Sequence, residues 1–111
     1  MTQFYSTELA RVSLLCYTEG MADLIMLGTG NAAVTQCYNT CFALRHGAGV
    51  LLVDAGGGNG ILRRLEEANI PLPTIHHIFV THTHTDHILG VVWVVRMIAQ
   101  GMNSGKYEGV L

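Results

Sequence analysis

A chain of 111 residues has room for one small domain with one core. Hydrophobic residues make up 50% and charged residues 13%, about half the usual roughly 25%, which leaves little charge to cover a free-standing surface. A net charge of −2 and six scattered Lys and Arg residues exclude an electrostatic grip on nucleic acid or on an anionic membrane.

The first 21 residues read as an N-terminal extension, and residues 22–111 as the domain. Within the extension, "VSLLCY" (12–17) is too short for a signal core and lacks a small-residue cleavage site. No apolar run in the chain reaches the roughly 18 residues that a membrane helix needs. A cytoplasmic protein is expected. The three cysteines, Cys16, Cys37 and Cys41, are odd in number and lack CxxC spacing, so they read as reduced thiols and small buried hydrophobes.

"ADLIMLG" (22–28) predicts a buried strand running into a Gly-Thr-Gly turn. "CYNTCFAL" (37–44) predicts a second strand, with "RHGAG" supplying a hairpin connection. The unbroken apolar run of "VLLVDAGGG" (50–58) predicts a strand buried on both faces that ends at Asp54 and a run of glycines. Ile61, Leu62, Leu65 and Ala68 in "NGILRRLEEANI" fall at helical spacing, with Asn59 as N-cap and "PLP" (71–73) as the stop. "HHIFVTH" (76–82) is a fourth strand. "HILGVVWVVRMIAQGMNSG" is too long and too unalternating for a strand despite its valines, so a buried helix is expected. "KYEGVL" (106–111) reads as the start of a fifth strand. The order β-β-β-α-β-α-β is that of an α/β fold.

The densest chemistry lies in "FVTHTHTDHILG" (79–90), where His82, His84, Asp86 and His87 fall within six positions directly after a strand. Loops at the carboxyl ends of strands are where α/β sheets keep their sites. Alternation lets His82 and His84 point the same way, while Asp86 and His87 face a second point nearby. Imidazole and carboxylate ligands suit zinc, iron(II) or manganese. No serine or cysteine stands in an activating motif for nucleophilic catalysis. "GTGNAAV" makes a poor phosphate loop, because the third glycine is missing.

The HxHxDH motif of "THTHTDH", taken with "LGTG" (27–30) and "LLVDAGGG" (51–58) in that order, resembles the metallo-β-lactamase superfamily of metal-dependent hydrolases. The spacing is most similar to the branch of tRNA 3′-end processing endonucleases and of arylsulfatase-like and phosphodiesterase-like members. The resemblance covers residues 22–111 and implies an αββα sandwich. It implies that His82 and His84 ligate one metal ion and Asp86 and His87 a second, with zinc expected ahead of iron or manganese. It further implies hydrolysis of a phosphodiester or another ester by a metal-bound hydroxide, with Asp86 orienting the water. The substrate would be a small-molecule or nucleotide ester. Asp54 matches the aspartate of the first motif and would support the ligand loop from behind, although a turn residue closing a strand would look the same.

The family's remaining ligands are a histidine, a bridging aspartate and a last histidine, all downstream. No histidine or aspartate follows His87. Residues 22–111 are therefore expected to be the N-terminal half of a larger αββα domain, inactive alone. Two alternatives stay open: a non-catalytic metal-binding module that self-associates as a homodimer, and an iron-holding oxidoreductase of the same fold.

Overall fold

The computed structural model describes residues 11–16 and 20–111. Five strands form one sheet in the order β1-β2-β3-β4-β5: β1 (Arg11–Cys16), β2 (Gly20–Gly28), β3 (Cys41–His46), β4 (Gly49–Val53) and β5 (Ile75–Phe79). The first four pair antiparallel, whereas β4 and β5 are parallel. Parallel strands need a crossover, which here holds α1 (Gly60–Glu67) and a short 3-10 turn (Leu72–Thr74). The helix α2 (Thr85–Asn103) follows β5.

The register sorts the apolar residues onto two faces. Ile25, Ala43, Leu52 and Ile78 lie side by side across β2 to β5. Ile25, Ala43 and Leu52 form one core cluster with Ile61 and Leu65 of α1 and Val94 and Ile98 of α2, and Ile78 packs against its edge. At about 25 cal/mol per Å² of buried apolar surface, this cluster is the main source of the fold's stability. The opposite face carries the rows Met26, Phe42, Val53, Phe79 and Leu24, Leu44, Leu51, His77. Both helices send their buried residues to the first face, and on the second Phe79 remains 58% exposed.

The structure redraws several expected boundaries. Residues 1–10 and 17–19 of the expected extension lie outside the described residues. Residues 11–16, however, pair along their whole length with β2, and position 22 falls inside β2. The strand expected from residue 37 begins only at Cys41, because Gly30 N donates to Tyr38 O at 2.8 Å and holds residues 38–40 in a loop. Cys37 is consequently exposed in that loop rather than buried, while Cys41 is buried and its thiol is pushed up to about 12, chiefly by burial. β4 stops at Val53 because Asp54 turns into the left-handed region at φ +56. Asn59 occupies the N-cap position of α1 but makes no side-chain cap bond.

The expected last strand at 106–111 is absent. Lys106 and Tyr107 send their backbone N–H groups to Gly101 O at the end of α2, and Gly109 adopts φ +91. Tyr107 is buried, with its hydroxyl 2.7 Å from Ile75 O. A side chain, rather than a ladder of backbone bonds, thus holds this segment against β5. Among the described residues, no helix is long and apolar enough to cross a membrane.

Candidate metal centre

The centre is assembled from two loops at the carboxyl ends of the neighbouring parallel strands β4 and β5. The β4 loop begins with Asp54, which is 4% exposed and holds the strained φ of +56. Its amide donates to Phe79 O at 2.9 Å, tying the end of β4 to the end of β5. The β5 loop contributes His82 and His84, both exposed, and leads into the first turn of α2 with Asp86 and His87, both half-buried. A carboxylate in the first turn of a helix also suits the helix dipole.

Asp54 organises the rest. Its Oδ1 accepts the Thr81 amide at 2.8 Å, and its Oδ2 accepts the Thr81 hydroxyl at 2.6 Å. The same Oδ2 lies 2.8 Å from His87 Nδ1, which therefore carries the proton. The Thr81 hydroxyl donates its hydrogen bond to Asp54, so its oxygen, 2.8 Å from His82 Nδ1, accepts from that ring. A relay runs from His82 through Thr81 to Asp54, and a direct bond runs from His87 to the same carboxylate. Both imidazoles are thereby set in the Nδ1–H tautomer, which leaves each Nε2 with a free lone pair. Burial alone would raise the Asp54 carboxyl, but the hydrogen bonds from Thr81 and His87 outweigh it and hold the group below the usual carboxylate range.

The rings converge. The His82 centroid lies 4.6 Å from that of His84 and 4.1 Å from that of His87. One ligand-capable atom each from Asp54, His82 and His87 lies within 4.8 Å of the others. Of these three, Asp54 already accepts three hydrogen bonds, and a support role suits it better than ligation. Asp86 Oδ2 stands 3.1 Å from His87 Nε2. With the His87 proton on Nδ1, that contact sets an acceptor nitrogen against an acceptor oxygen. A proton on Nε2 or a cation beside the pair would satisfy both, and a divalent metal ion fits that donor set.

The structure thus brings His82 and His87 together beside Asp54, with His84 against His82 and Asp86 against His87, while neither His84 nor Asp86 joins the three whose ligand atoms lie within 4.8 Å of one another. The sequence reading missed three side chains around them. Thr81 was visible only as a strand residue. Tyr38 and Asn39 lie in the β2–β3 loop and reach the glycine run after Asp54, with the Tyr38 hydroxyl 2.5 Å from Ala55 O and Asn39 Oδ1 accepting the Gly57 amide at 3.1 Å. Their signal is spatial, and nothing in the spacing of residue types announces it.

The sheet with both helices on one face, and the histidine-aspartate loops at its edge, define a metallo-β-lactamase-fold protein of the metal-dependent hydrolase superfamily. More narrowly, the chain belongs to the family described as Anti-Pycsar protein Apyc1, whose model matches residues 22–106. Over 77 residues it is 36% identical to the ribonuclease Z of Thermococcus sibiricus, covering 68% of this chain and 24% of that protein. It is 40% identical over 67 residues to the Anti-Pycsar protein Apyc1 of Bacillus phage BSP38, covering 60% of this chain and 25% of that one. The solved metallo-β-lactamase fold protein YhfI from Bacillus subtilis superposes with a TM-score of 0.66 at 23% identity, over 78% of this chain and 35% of that one. The chain spans about a quarter of the length of the curated relatives it matches.

Proposed function

We propose that the chain carries the first part of the ligand set of a dinuclear metallohydrolase acting on phosphodiesters or other esters. The observation that carries this reading is the pair of imidazoles whose Nδ1 atoms face Thr81 and Asp54, with the Nε2 of His87 turned to the carboxylate of Asp86. His82 and His84 would hold one ion, and Asp86 and His87 the other. When bound, two divalent ions, zinc ahead of iron or manganese, supply the Lewis acidity that activates water and stabilises charge on the attacked oxygen. Asp86 has one oxygen toward His87 and a second with which to orient the attacking water. Thr81 and Asp54 keep the imidazole tautomers fixed, and the lowered carboxyl of Asp54 keeps it charged for that task at neutral pH. Relatives named ribonuclease Z support a phosphodiester over other esters. The free thiols of Cys37 and Cys41 support a reducing, cytoplasmic setting.

Zinc titration calorimetry of the 111-residue chain tests the ligand set. Weak binding is expected, lost in His84→Ala, with little or no hydrolysis of bis-p-nitrophenyl phosphate. Absence of binding in both proteins would overturn the ligand assignment. Hydrolysis abolished by His84→Ala would overturn the expectation that these residues are inactive alone. In a protein that also holds the region the relatives add, hydrolysis dependent on His84 is expected.

A second reading, a non-catalytic metal-binding module that self-associates, is favoured by the apolar residues left exposed. Phe79 on the uncovered sheet face is 58% exposed, and Leu89, Val92, Trp93 and Val95 on α2 are between 39% and 59% exposed. Light scattering of the purified chain separates the readings. A stable dimer that binds one ion per two chains would favour the second, and a monomer the first.

A further inference from the structure

Residues 56–58 are three consecutive glycines, the most costly backbone to hold in one conformation. Ala55 separates them from Asp54, which itself sits in a conformation that a side-chain-bearing residue rarely adopts. Something must hold this loop if Asp54 is to stay beneath the histidines.

Two side chains from a distant loop do so. The Tyr38 hydroxyl lies 2.5 Å from Ala55 O and 2.8 Å from Gly58 O, so its single proton is shared between the carbonyls at the two ends of the loop. The Tyr38 ring fills the space above the glycines: a Cβ on Gly56 would come within 2.2 Å of it, and one on Gly60 within 2.8 Å. Between the two gripped carbonyls, the Gly57 amide donates to Asn39 Oδ1 at 3.1 Å. Asn39 is anchored in turn, its Nδ2 donating to Asn31 O at 2.8 Å. On its other side the loop meets the ligand-bearing helix. Ala55 N donates to His87 O at 3.1 Å, and Gly90 N donates to Gly56 O at 2.8 Å. The loop is therefore clamped between the β2–β3 loop and the first turns of α2. Burial pushes the Tyr38 phenol up to about 12, so it remains a donor at every pH at which the protein would work.

We propose that Tyr38 and Asn39 are positioning residues for the metal centre, locking the 55–58 loop so that Asp54 stays placed to set the His82 and His87 tautomers. The proposal rests on the metal reading given above, and its test separates the two. Neither residue touches a ligand, and both act through the loop.

The test uses Tyr38→Phe, which keeps the ring over the glycines and removes only the hydroxyl, and Asn39→Ala as an independent second variant. Asp54→Asn and His84→Ala serve as controls. Two quantities are read at a temperature well below unfolding. One is the affinity for cobalt(II), from its absorption spectrum. The other is the nitrogen-attached proton of His87 Nδ1, seen by NMR in the metal-free protein. Each variant is expected to weaken cobalt binding about tenfold, the lower end of what loss of a ligand-orienting partner costs. Each should also broaden or abolish the His87 Nδ1–H signal and speed exchange of the Gly57 amide.

Variants with a lower Tm but wild-type cobalt affinity and an intact His87 signal would overturn the proposal, because the clamp would then serve the fold alone. A wild-type protein without the His87 signal would overturn it as well. A wild-type protein that shows the signal but binds no cobalt would refute the metal reading. Loss of the signal in both variants would then still support the clamp.

Discussion

Both ends of β5 hold a histidine against a hydroxyl, and only one end makes a candidate metal centre. At the amino end, Tyr107 Oη lies 2.9 Å from His76 Nδ1, with ring centroids 5.1 Å apart. At the carboxyl end, Thr81 Oγ1 lies 2.8 Å from His82 Nδ1. The difference lies behind the hydroxyl. Tyr107 is backed by the neutral carbonyls of Ile75 at 2.7 Å and Val110 at 3.3 Å. Thr81 is backed by the carboxylate of Asp54, which also holds His87. A hydroxyl on carbonyls fastens a chain segment. A hydroxyl on a carboxylate, shared with further imidazoles, fixes tautomers and leaves several lone pairs facing one point. Histidine alone does not make a metal centre; the acceptor behind it does.

The largest test of that contrast is Gly90→Ala. A Cβ there would lie 1.8 Å from Ala55 O, a backbone atom that cannot yield without moving the Asp54 loop. A loss of about 3 kcal/mol is expected in urea unfolding, at the upper end for overpacking, and metal affinity should fall with it. An unaffected variant would show that α2 and the loop are not rigidly joined.

Asp54→Asn removes the charge behind Thr81 and His87. Metal affinity is expected to fall about 10- to 100-fold by calorimetry, with the fold retained at neutral pH. The same variant carries a pH signature. The folded carboxyl of Asp54 lies below its unfolded value, so its stabilisation is fully present above about pH 4. It is lost as pH falls through the lower folded value. Wild type should therefore lose stability relative to Asp54→Asn on acidification below about pH 4, and no convergence of the two curves would count against the hydrogen-bond assignment.

Tyr107→Phe, at the other end of β5, should cost about 1 kcal/mol of stability for its hydrogen bond to Ile75. Metal affinity should be unchanged; a fall matching that of Asp54→Asn would erase the distinction between the two ends. The smallest effect on the fold is expected for His84→Ala. His84 is exposed, so thermal unfolding should move by no more than about 0.5 kcal/mol while metal binding is lost.

Much of this architecture is legible without coordinates, and the failures are instructive. The apolar runs of β2 and β4 announce strands, although the expectation of burial on both faces for residues 50–58 fails, because both helices pack on one face of the sheet. β1 does not, since "VSLLC" is short and its strand exists through pairing with β2. "KYEGVL" misleads in the opposite direction: its propensity suits a strand, but burying Tyr107 with its hydroxyl satisfied, and the turn at Gly109, take precedence.

The sequence by itself singled out the candidate ligands His82, His84, Asp86 and His87, because metal coordination demands particular side chains and these lie within six positions. It also determined that a strand precedes them and a helix follows, since hydrophobic periodicity is a local property. Only the tertiary structure decided which nitrogen of His82 and of His87 carries the proton. That depends on Asp54, 27 residues from Thr81 and 33 from His87. It decided as well that Tyr38 and Asn39 grip the glycine loop across 17 and 18 residues of chain. Hydrogen bonds between segments far apart in sequence leave no periodic trace, and they exist once the sheet has brought the ends of its strands together.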